Sequence, residues 1–258
     1  MEMFFALGGQ NMIITASSFR GFNERGSEYA SLVTKELLRL INEEFQCCYR
    51  DNDLDPYFVG IDTLLHLPED SAEHHMAEEL AAFQQTWPYQ AGRRKLIWEI
   101  ASVPLFSFWK LFQGMDAEER SALDAELAEL TSMNAVHEHL YKRFSRVIYG
   151  TDLPMPHFYL GTNKSGDLKW RSPMPIALTG GEYMRMFYTP YPTLFITRDT
   201  MKAILTDLAF EERFHSLKTD YSGRYDHDLV QAEYERVTEL SSRPETTLGF
   251  SRKVAASS

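Results

Sequence analysis

The chain has 258 residues, of which 44% are hydrophobic and 24% charged, and its formal net charge is -11. These values are typical of a folded globular protein, and they argue against nonspecific nucleic-acid binding and against a polybasic membrane surface. The two cysteines, Cys47 and Cys48, are adjacent, which favours a reducing compartment over a disulfide framework. The chain shows no signal-peptide pattern and no long apolar run. We therefore predict a cytoplasmic protein without stable membrane insertion.

In the first part of the chain, short β-like runs alternate with helical patterns. Strands are predicted at 12–15, 57–61 and 95–100. Helices are predicted after Ser27, from 68–71 through Phe83, from Asp116 to about Leu130, and from about Ala135 to Val147. The apolar run at 106–112 fits a strand and a helix equally well.

In the second part, a fourth strand is predicted at 158–160 and a fifth at either 184–187 or 193–196. A helix is predicted over 200–210, and another at about 228–240. Strands that alternate with helices predict an α/β protein, a sandwich with a central, mainly parallel sheet flanked by helices. Because no repeat or linker interrupts the pattern, we expect a single catalytic-type domain over 1–250 and a disordered tail at 251–258.

Basic side chains follow two of the predicted strands. Ligands bind outside the carboxyl ends of the strands in open α/β sheets, so both loops are candidate anion sites. Arg20 and Arg25 lie between the first strand and the first helix. They fit a phosphate clamp and a pair of exposed loop arginines equally well. Lys164, Arg171 and Ser172 follow the fourth strand, and two such loops at one sheet edge favour an anion site over a solvent-exposed loop.

Asp62 ends the second predicted strand and would lie at the same edge. A carboxylate there can hold Mg²⁺ against a diphosphate or accept a proton, and it can equally cap a turn. The chain carries no P-loop, no dinucleotide fingerprint and no nucleophile elbow. An α/β enzyme that acts on a phosphorylated metabolite is therefore one of the possible functions.

Several segments together resemble a known family. They are Phe158-Tyr159-Leu160-Gly161, Arg171-Ser172-Pro173, Phe187-Tyr188-Thr189-Pro190-Tyr191-Pro192-Thr193, the helical stretch 197–207, and Asp220-Tyr221-Ser222. In these the chain resembles the cis-prenyltransferase-like family, and within it the diterpene-handling branch that includes tuberculosinyl adenosine transferase. The resemblance covers roughly the C-terminal third and extends to the N-terminal half as element order.

The resemblance implies a cis-prenyltransferase-like fold, an allylic prenyl diphosphate as substrate, Mg²⁺ as cofactor and a homodimer. One departure stands out, because the family's Asp-Gly pair after the first strand is replaced here by Thr15-Ala16-Ser17-Ser18. Asp62 would then take over part of the missing aspartate's role. The roles implied for single residues are Asp62 and Arg20 as catalytic, Asp62 as metal ligand, Arg25, Lys164, Arg171 and Ser172 as diphosphate ligands, and Tyr188 and Tyr191 as tunnel lining.

The sequence thus predicts a transferase or terpene synthase that ionises an allylic prenyl diphosphate at a basic site beside an aromatic-lined pocket. The missing Asp-Gly pair supports an alternative. In that alternative, the chain is a non-catalytic member of the family that binds a prenyl ligand or a partner subunit.

Overall fold

The computed structural model describes residues 1–19, 22, 26–162, 170–181, 184–209, 231, 234–235 and 238–239. The chain divides into two compact units, Met1–His157 with Arg171–Arg185, and Phe158–Trp170 with Met186–Ser258. The single domain over 1–250 stays a prediction. The predicted tail at 251–258 and most of the predicted helix at 228–240 lie outside the described residues.

The first unit contains a three-stranded parallel sheet in the order β1-β3-β2. This confirms the predicted fold class at the level of an α/β protein with a small, mainly parallel sheet flanked by helices. Its strands are β1 (Asn11–Ser17), β2 (Leu54–Val59) and β3 (Arg94–Ile100). Its helices are α1 (Glu2–Ala6), α2 (Gly26–Leu38), α3 (Glu43–Asp51), α4 (Ile61–Leu64), α5 (Ala72–Thr86), α6 (Pro104–Gly114), α7 (Ala117–Ala128), α8 (Met133–Tyr149) and α9 (Pro173–Thr179).

The central strand β3 is buried on both faces, and its alternating side chains enter two separate core clusters. Leu96, Trp98 and Ile100 point into a cluster that also contains buried side chains of α3 and α5. Ile97 points the other way, into a cluster with side chains of α8 and α9. By the same alternation, Glu99 lies on the α8–α9 face, beside its register partner Thr15 of β1.

Polar residues directly before several helices cap the first turn. Ser71 accepts a hydrogen bond from the backbone of His74 and Ser132 from that of Ala135. Asp116 and Glu119 form a reciprocal capping box at the start of α7. These side chains satisfy backbone N–H groups that have no partner inside a helix, which is why helix starts are readable from sequence.

β2 differs from its prediction, and α6 decides between the two alternatives left open for its segment. β2 begins at Leu54 rather than at Tyr57, because Asp55 is buried and accepts hydrogen bonds from Trp87 and Gln90. Pro56 is tolerated in β2 because β2 is an edge strand. The run at 106–112 is helical and belongs to α6, which has a proline in its first turn.

The second unit contains the strands β4 (Phe158–Thr162) and β5 (Arg185–Thr189, from Met186 onward) and the helix α10 (Arg198–Ala209). β4 pairs with β5 in a separate two-stranded sheet. The prediction that the basic loop after β4 leaves the same parallel sheet as the loop after β1 was therefore wrong. Of the two places considered for the fifth strand, 184–187 is confirmed within two residues, whereas Thr193–Phe195 forms a 3₁₀ turn.

None of the helices in the described part of the chain is long and apolar enough to cross a bilayer. The cytoplasmic location stays a prediction.

Gly60 joins β2 to α4 with a left-handed backbone, at φ 95°. A Cβ atom at this position would lie 1.9 Å from the carbonyl oxygen of Ile100, the last residue of β3. A side chain is excluded both by backbone conformation and by space. This close approach holds the carboxyl ends of β2 and β3 together and places Asp62, two residues later, at that edge.

We expect Gly60→Ala to destabilise the protein by about 3 kcal/mol or more, because both strand ends must separate. Gly92→Ala is the matched control. Gly92 has a similar φ of 87° but nothing within 4 Å of the new Cβ, so it should lose only about 1 kcal/mol. Urea unfolding of the two variants compares these losses. Equal losses would show that the contact with Ile100 is unimportant.

Candidate active site at the carboxyl edge of the sheet

Glu99 is the most deeply buried carboxylate at the carboxyl edge among the described residues, with 1% of its surface exposed. It occupies the sixth position of β3, in the sequence Leu96-Ile97-Trp98-Glu99-Ile100. A lone acid in an apolar strand must find hydrogen-bond donors, because an unpaired buried charge is strongly unfavourable. Thr15 and Val59 flank Glu99 on the neighbouring strands.

The donors come from β1 and from the start of α9. One carboxylate oxygen accepts a hydrogen bond of 2.7 Å from the backbone N–H of Met174, and the other accepts one of 3.3 Å from the Thr15 hydroxyl. The Thr15 hydroxyl is also 2.5 Å from the hydroxyl of Ser172. Ser172 precedes α9 but makes no cap hydrogen bond of its own. Glu99 therefore takes the place of a side-chain cap for α9, and this leaves the Ser172 hydroxyl for Thr15.

Burial raises the pKa of the Glu99 carboxyl to about 7. The hydrogen bond from the Met174 backbone lowers this pKa and so partly offsets the effect of burial. The hydroxyls of Thr15, Ser102 and Ser172 also lower it, each more weakly than Met174. The Ser102 hydroxyl is itself buried without a hydrogen bond of good geometry. A carboxyl group with this pKa exchanges a proton near neutral pH, as acid and base groups of enzymes do.

Asp62 lies in the first turn of α4, directly after the Gly60 turn. Its Oδ2 accepts a hydrogen bond of 2.7 Å from the hydroxyl of Ser107 on α6, and Ser107 is buried. Asp62 itself is half-buried. The serine fixes the orientation of a carboxylate that solvent still reaches, an arrangement suited to binding a cation or a polar ligand.

A cavity of about 510 Å³ opens beside Asp62. Its walls are mainly apolar and come from the end of β2 and from α4, α6 and α8, and its charged lining residues belong to four helices. The apolar residues are Phe58, Val59, Ile61, Leu111, Met115, Phe144, Val147 and Ile148, and the charged residues are Asp62, Lys110, Glu119 and Arg143. Apolar walls with a few polar groups are typical of small-molecule sites of this size.

The predicted site residues fall into three groups. Asp62, Arg171 and Ser172 belong to the first unit, where Asp62 follows β2 and Ser172 contacts the end of β1. Arg171 is exposed and Ser172 is 8% exposed. The segment that precedes α9, and not a loop of the parallel sheet, carries Arg171 and Ser172. The role of all three residues in one site stays a prediction.

The tunnel-lining tyrosines lie in the second unit. Tyr188 is a half-buried residue of β5, and the Tyr191 hydroxyl is 3.4 Å from that of Thr200 on α10. Their role as lining residues stays a prediction. Arg20, Arg25 and Lys164 lie outside the described residues.

Sequence reasoning missed Glu99, Thr15 and Ser107. For Glu99 a signal was present, because a single acid inside the apolar run 96–100 has no solvent-exposed face in a buried strand. Thr15 and Ser107 gave no such signal, since hydroxyls of this kind are common in strands and helices.

No protein-family model matches the sequence, and no curated protein sequence matches it significantly. Within the described parts of the chain, no three His, Cys, Asp or Glu side chains converge as a set of metal ligands. The fold and the site geometry are therefore the basis of the functional argument.

The raised pKa of Glu99 makes stability depend on pH. The folded protein keeps the proton up to about pH 7, whereas the unfolded chain releases it near 4.5, so stability falls as pH rises between these values. Glu99→Gln does not titrate, so we expect its stability relative to wild type to rise by about 3 kcal/mol between about pH 4 and about pH 8. Urea unfolding across this range measures the difference. If the free energies of unfolding of the wild type and Glu99→Gln change in parallel with pH, Glu99 has an ordinary pKa.

Proposed function

We propose that the protein is a transferase or terpene synthase that acts on an allylic prenyl diphosphate, with a cis-prenyltransferase-like fold. The observation that carries the proposal is the carboxyl edge of the sheet. There an oriented carboxylate, Asp62, borders a mainly apolar cavity of about 510 Å³, and Arg171 and Ser172 belong to the same edge. An apolar cavity and a basic side chain at one sheet edge complement an amphiphilic substrate with an anionic head.

In this proposal Arg171 and Ser172 bind the diphosphate. The predicted roles of Arg20, Arg25 and Lys164 as diphosphate ligands stay predictions, since these residues lie outside the described part of the chain. Guanidinium groups form bidentate, charge-assisted hydrogen bonds with phosphate oxygens, which is why arginines suit this role. The prenyl chain occupies the apolar cavity, against Leu111, Phe144 and Ile148, and once bound it displaces water from these walls. A dry cavity protects a carbocation from premature capture by water.

Mg²⁺ fits the available donors. Proteins commonly hold this ion through one or two carboxylates together with substrate phosphates, and Asp62 offers one carboxylate oriented by Ser107. When bound, the ion would supply positive charge to the leaving diphosphate. Asp62 is the residue that would hold it.

In the reaction, the bond between the allylic carbon and the diphosphate oxygen breaks, and its electron pair leaves with the diphosphate. The allylic cation that remains either loses a proton or is captured by an acceptor. Arg171 and Ser172 contribute by binding the departing charge, which grows in the transition state. The cavity walls hold the cation and restrict its conformations.

Turnover is the direct test. The protein is incubated with geranyl, farnesyl or geranylgeranyl diphosphate and Mg²⁺, and released pyrophosphate and organic products are measured. Products with at least one substrate support the proposal. Saturable binding without turnover would instead establish the non-catalytic alternative, and a lack of affinity for every prenyl diphosphate would refute both.

We expect Arg171→Ala to weaken binding of a prenyl diphosphate by roughly tenfold or more, because a charge-assisted hydrogen bond to phosphate is lost. Arg39→Ala is the control, since Arg39 is an exposed arginine paired with Glu36 in the segment between α2 and α3. Equilibrium binding of both variants and the wild type gives the comparison. Unchanged affinity in Arg171→Ala would remove Arg171 from the anion site.

The assignment of the prenyl chain to the cavity predicts a change in chain-length preference. Leu111→Phe places a larger side chain in the cavity wall, so geranylgeranyl diphosphate should lose about tenfold in kcat/KM relative to geranyl diphosphate. Leu105→Phe is the control, because Leu105 is 82% exposed on the same helix and is not part of the cavity lining. Equal losses for long and short substrates in Leu111→Phe would place the chain elsewhere.

A further inference from the structure

Glu99 is connected to the surface of the site through hydroxyl groups. Its carboxylate is within hydrogen-bond distance of Thr15, and Thr15 is 2.5 Å from Ser172, which is 8% exposed and follows Arg171 directly. The other carboxylate oxygen is occupied by the backbone N–H of Met174. This hydrogen-bonded chain joins a fully buried acid to the residue that the proposed function places at the diphosphate.

The direction of the hydroxyl protons depends on the charge of Glu99. An ionised carboxylate can only accept hydrogen bonds, so it draws the protons of Thr15 and Ser172 inward. The Ser172 oxygen then offers lone pairs, which repel an anion. A protonated carboxyl group donates its own proton into the chain, so that each hydroxyl can turn and Ser172 can donate outward to a phosphate oxygen.

We propose that Glu99 is a positioning residue that couples proton uptake to anion binding, because its protonated form turns the Ser172 hydroxyl toward the diphosphate. This inference rests on the proposed function, since it takes Ser172 as a diphosphate ligand. The step is one proton transfer: an O–H bond breaks in a solvent or buffer acid and one forms at the Glu99 carboxylate, and the hydroxyls of Thr15 and Ser172 reverse direction.

Several other ionisable groups lie on the elements around this part of β3. His137 of α8 contacts the backbone carbonyl of Leu178 on α9, and its contribution is common to the wild type and to Glu99→Gln. β1 and α9 carry no ionisable side chain. Tyr149 of α8 interacts electrostatically with Glu99. Tyr57 of β2 and Tyr141 of α8 lie in the same core cluster as Tyr149. Burial raises the pKa of all three phenols above the ordinary value, so they stay neutral in the range where Glu99 changes charge.

Charged groups also occur on the elements nearby. Asp55 lies at the opposite end of β2, where it binds Trp87 and Gln90, and Lys95 is its register partner on β3. At the carboxyl edge itself, Asp62 is held by Ser107, and Arg171 precedes α9. An anion bound by Arg171 and Ser172 adds negative charge near Glu99, and this also favours the protonated carboxyl group.

The test is calorimetric titration with inorganic pyrophosphate in buffers of different ionisation enthalpy at one pH. The slope of the observed enthalpy against the buffer enthalpy gives the number of protons taken up. Near pH 7 we expect the wild type to take up roughly half a proton more than Glu99→Gln, because about half of the carboxyl groups are ionised there. The titration of pyrophosphate itself is common to both proteins and cancels in the difference.

The amide of Glu99→Gln resembles the protonated acid, since it can accept from Met174 and donate into the hydroxyl chain. Relative to this variant, wild-type affinity should fall about tenfold between about pH 6 and about pH 8. Ser172→Ala breaks the chain. It should bind pyrophosphate more weakly, and its proton uptake should fall from the wild-type value toward that of Glu99→Gln, because only the electrostatic effect of the anion on Glu99 remains.

The outcomes separate the two proposals. If pyrophosphate binds to neither the wild type nor Glu99→Gln, the anion site is wrong, and the proposed function and this inference are both overturned. If pyrophosphate binds with equal proton uptake in the two proteins, the anion site stands and the coupling through Glu99 is overturned. If Ser172→Ala keeps the extra uptake, the route through Ser172 is wrong.

Discussion

The burial of one carboxylate organises the carboxyl edge of this protein. Glu99 has 1% of its surface exposed, so it can be accommodated only if the protein supplies donors. They come from Thr15 on β1 and from the backbone of Met174 at the start of α9. Meeting this requirement brings together three segments that are far apart in sequence, and it places Arg171 and Ser172 beside the sheet.

The edge contains two acids in contrasting surroundings. Glu99 is dry, and its pKa is raised to about 7, whereas Asp62 is half-buried and oriented by the Ser107 hydroxyl beside the apolar cavity. Such a contrast allows one acid to hold or release a proton while the other binds a cation. The tight Gly60 turn makes the arrangement possible, since it joins the ends of β2 and β3 without a side chain between them.

The elements that the sequence predicted well are those with strong local signals. β1 and β3 follow from their apolar runs, and α7 and α8 from their polar caps and periodicity. Three elements needed long-range information. β2 extends back to Leu54 because Trp87 and Gln90 bury Asp55, α9 is a seven-residue helix with two prolines, and β4 pairs with β5 rather than with the parallel sheet.

The sequence by itself determined the α/β class and the order of most elements. Residue types and their local spacing carry that information, because caps, periodicity and strand ends are properties of short segments. Only the tertiary structure decided that Glu99 is the buried acid of the site. Its contact with Thr15 spans 84 residues of sequence, and the contact of Thr15 with Ser172 spans 157. Hydrogen bonds over such separations depend on the packed sheet and helices, and no local pattern contains them.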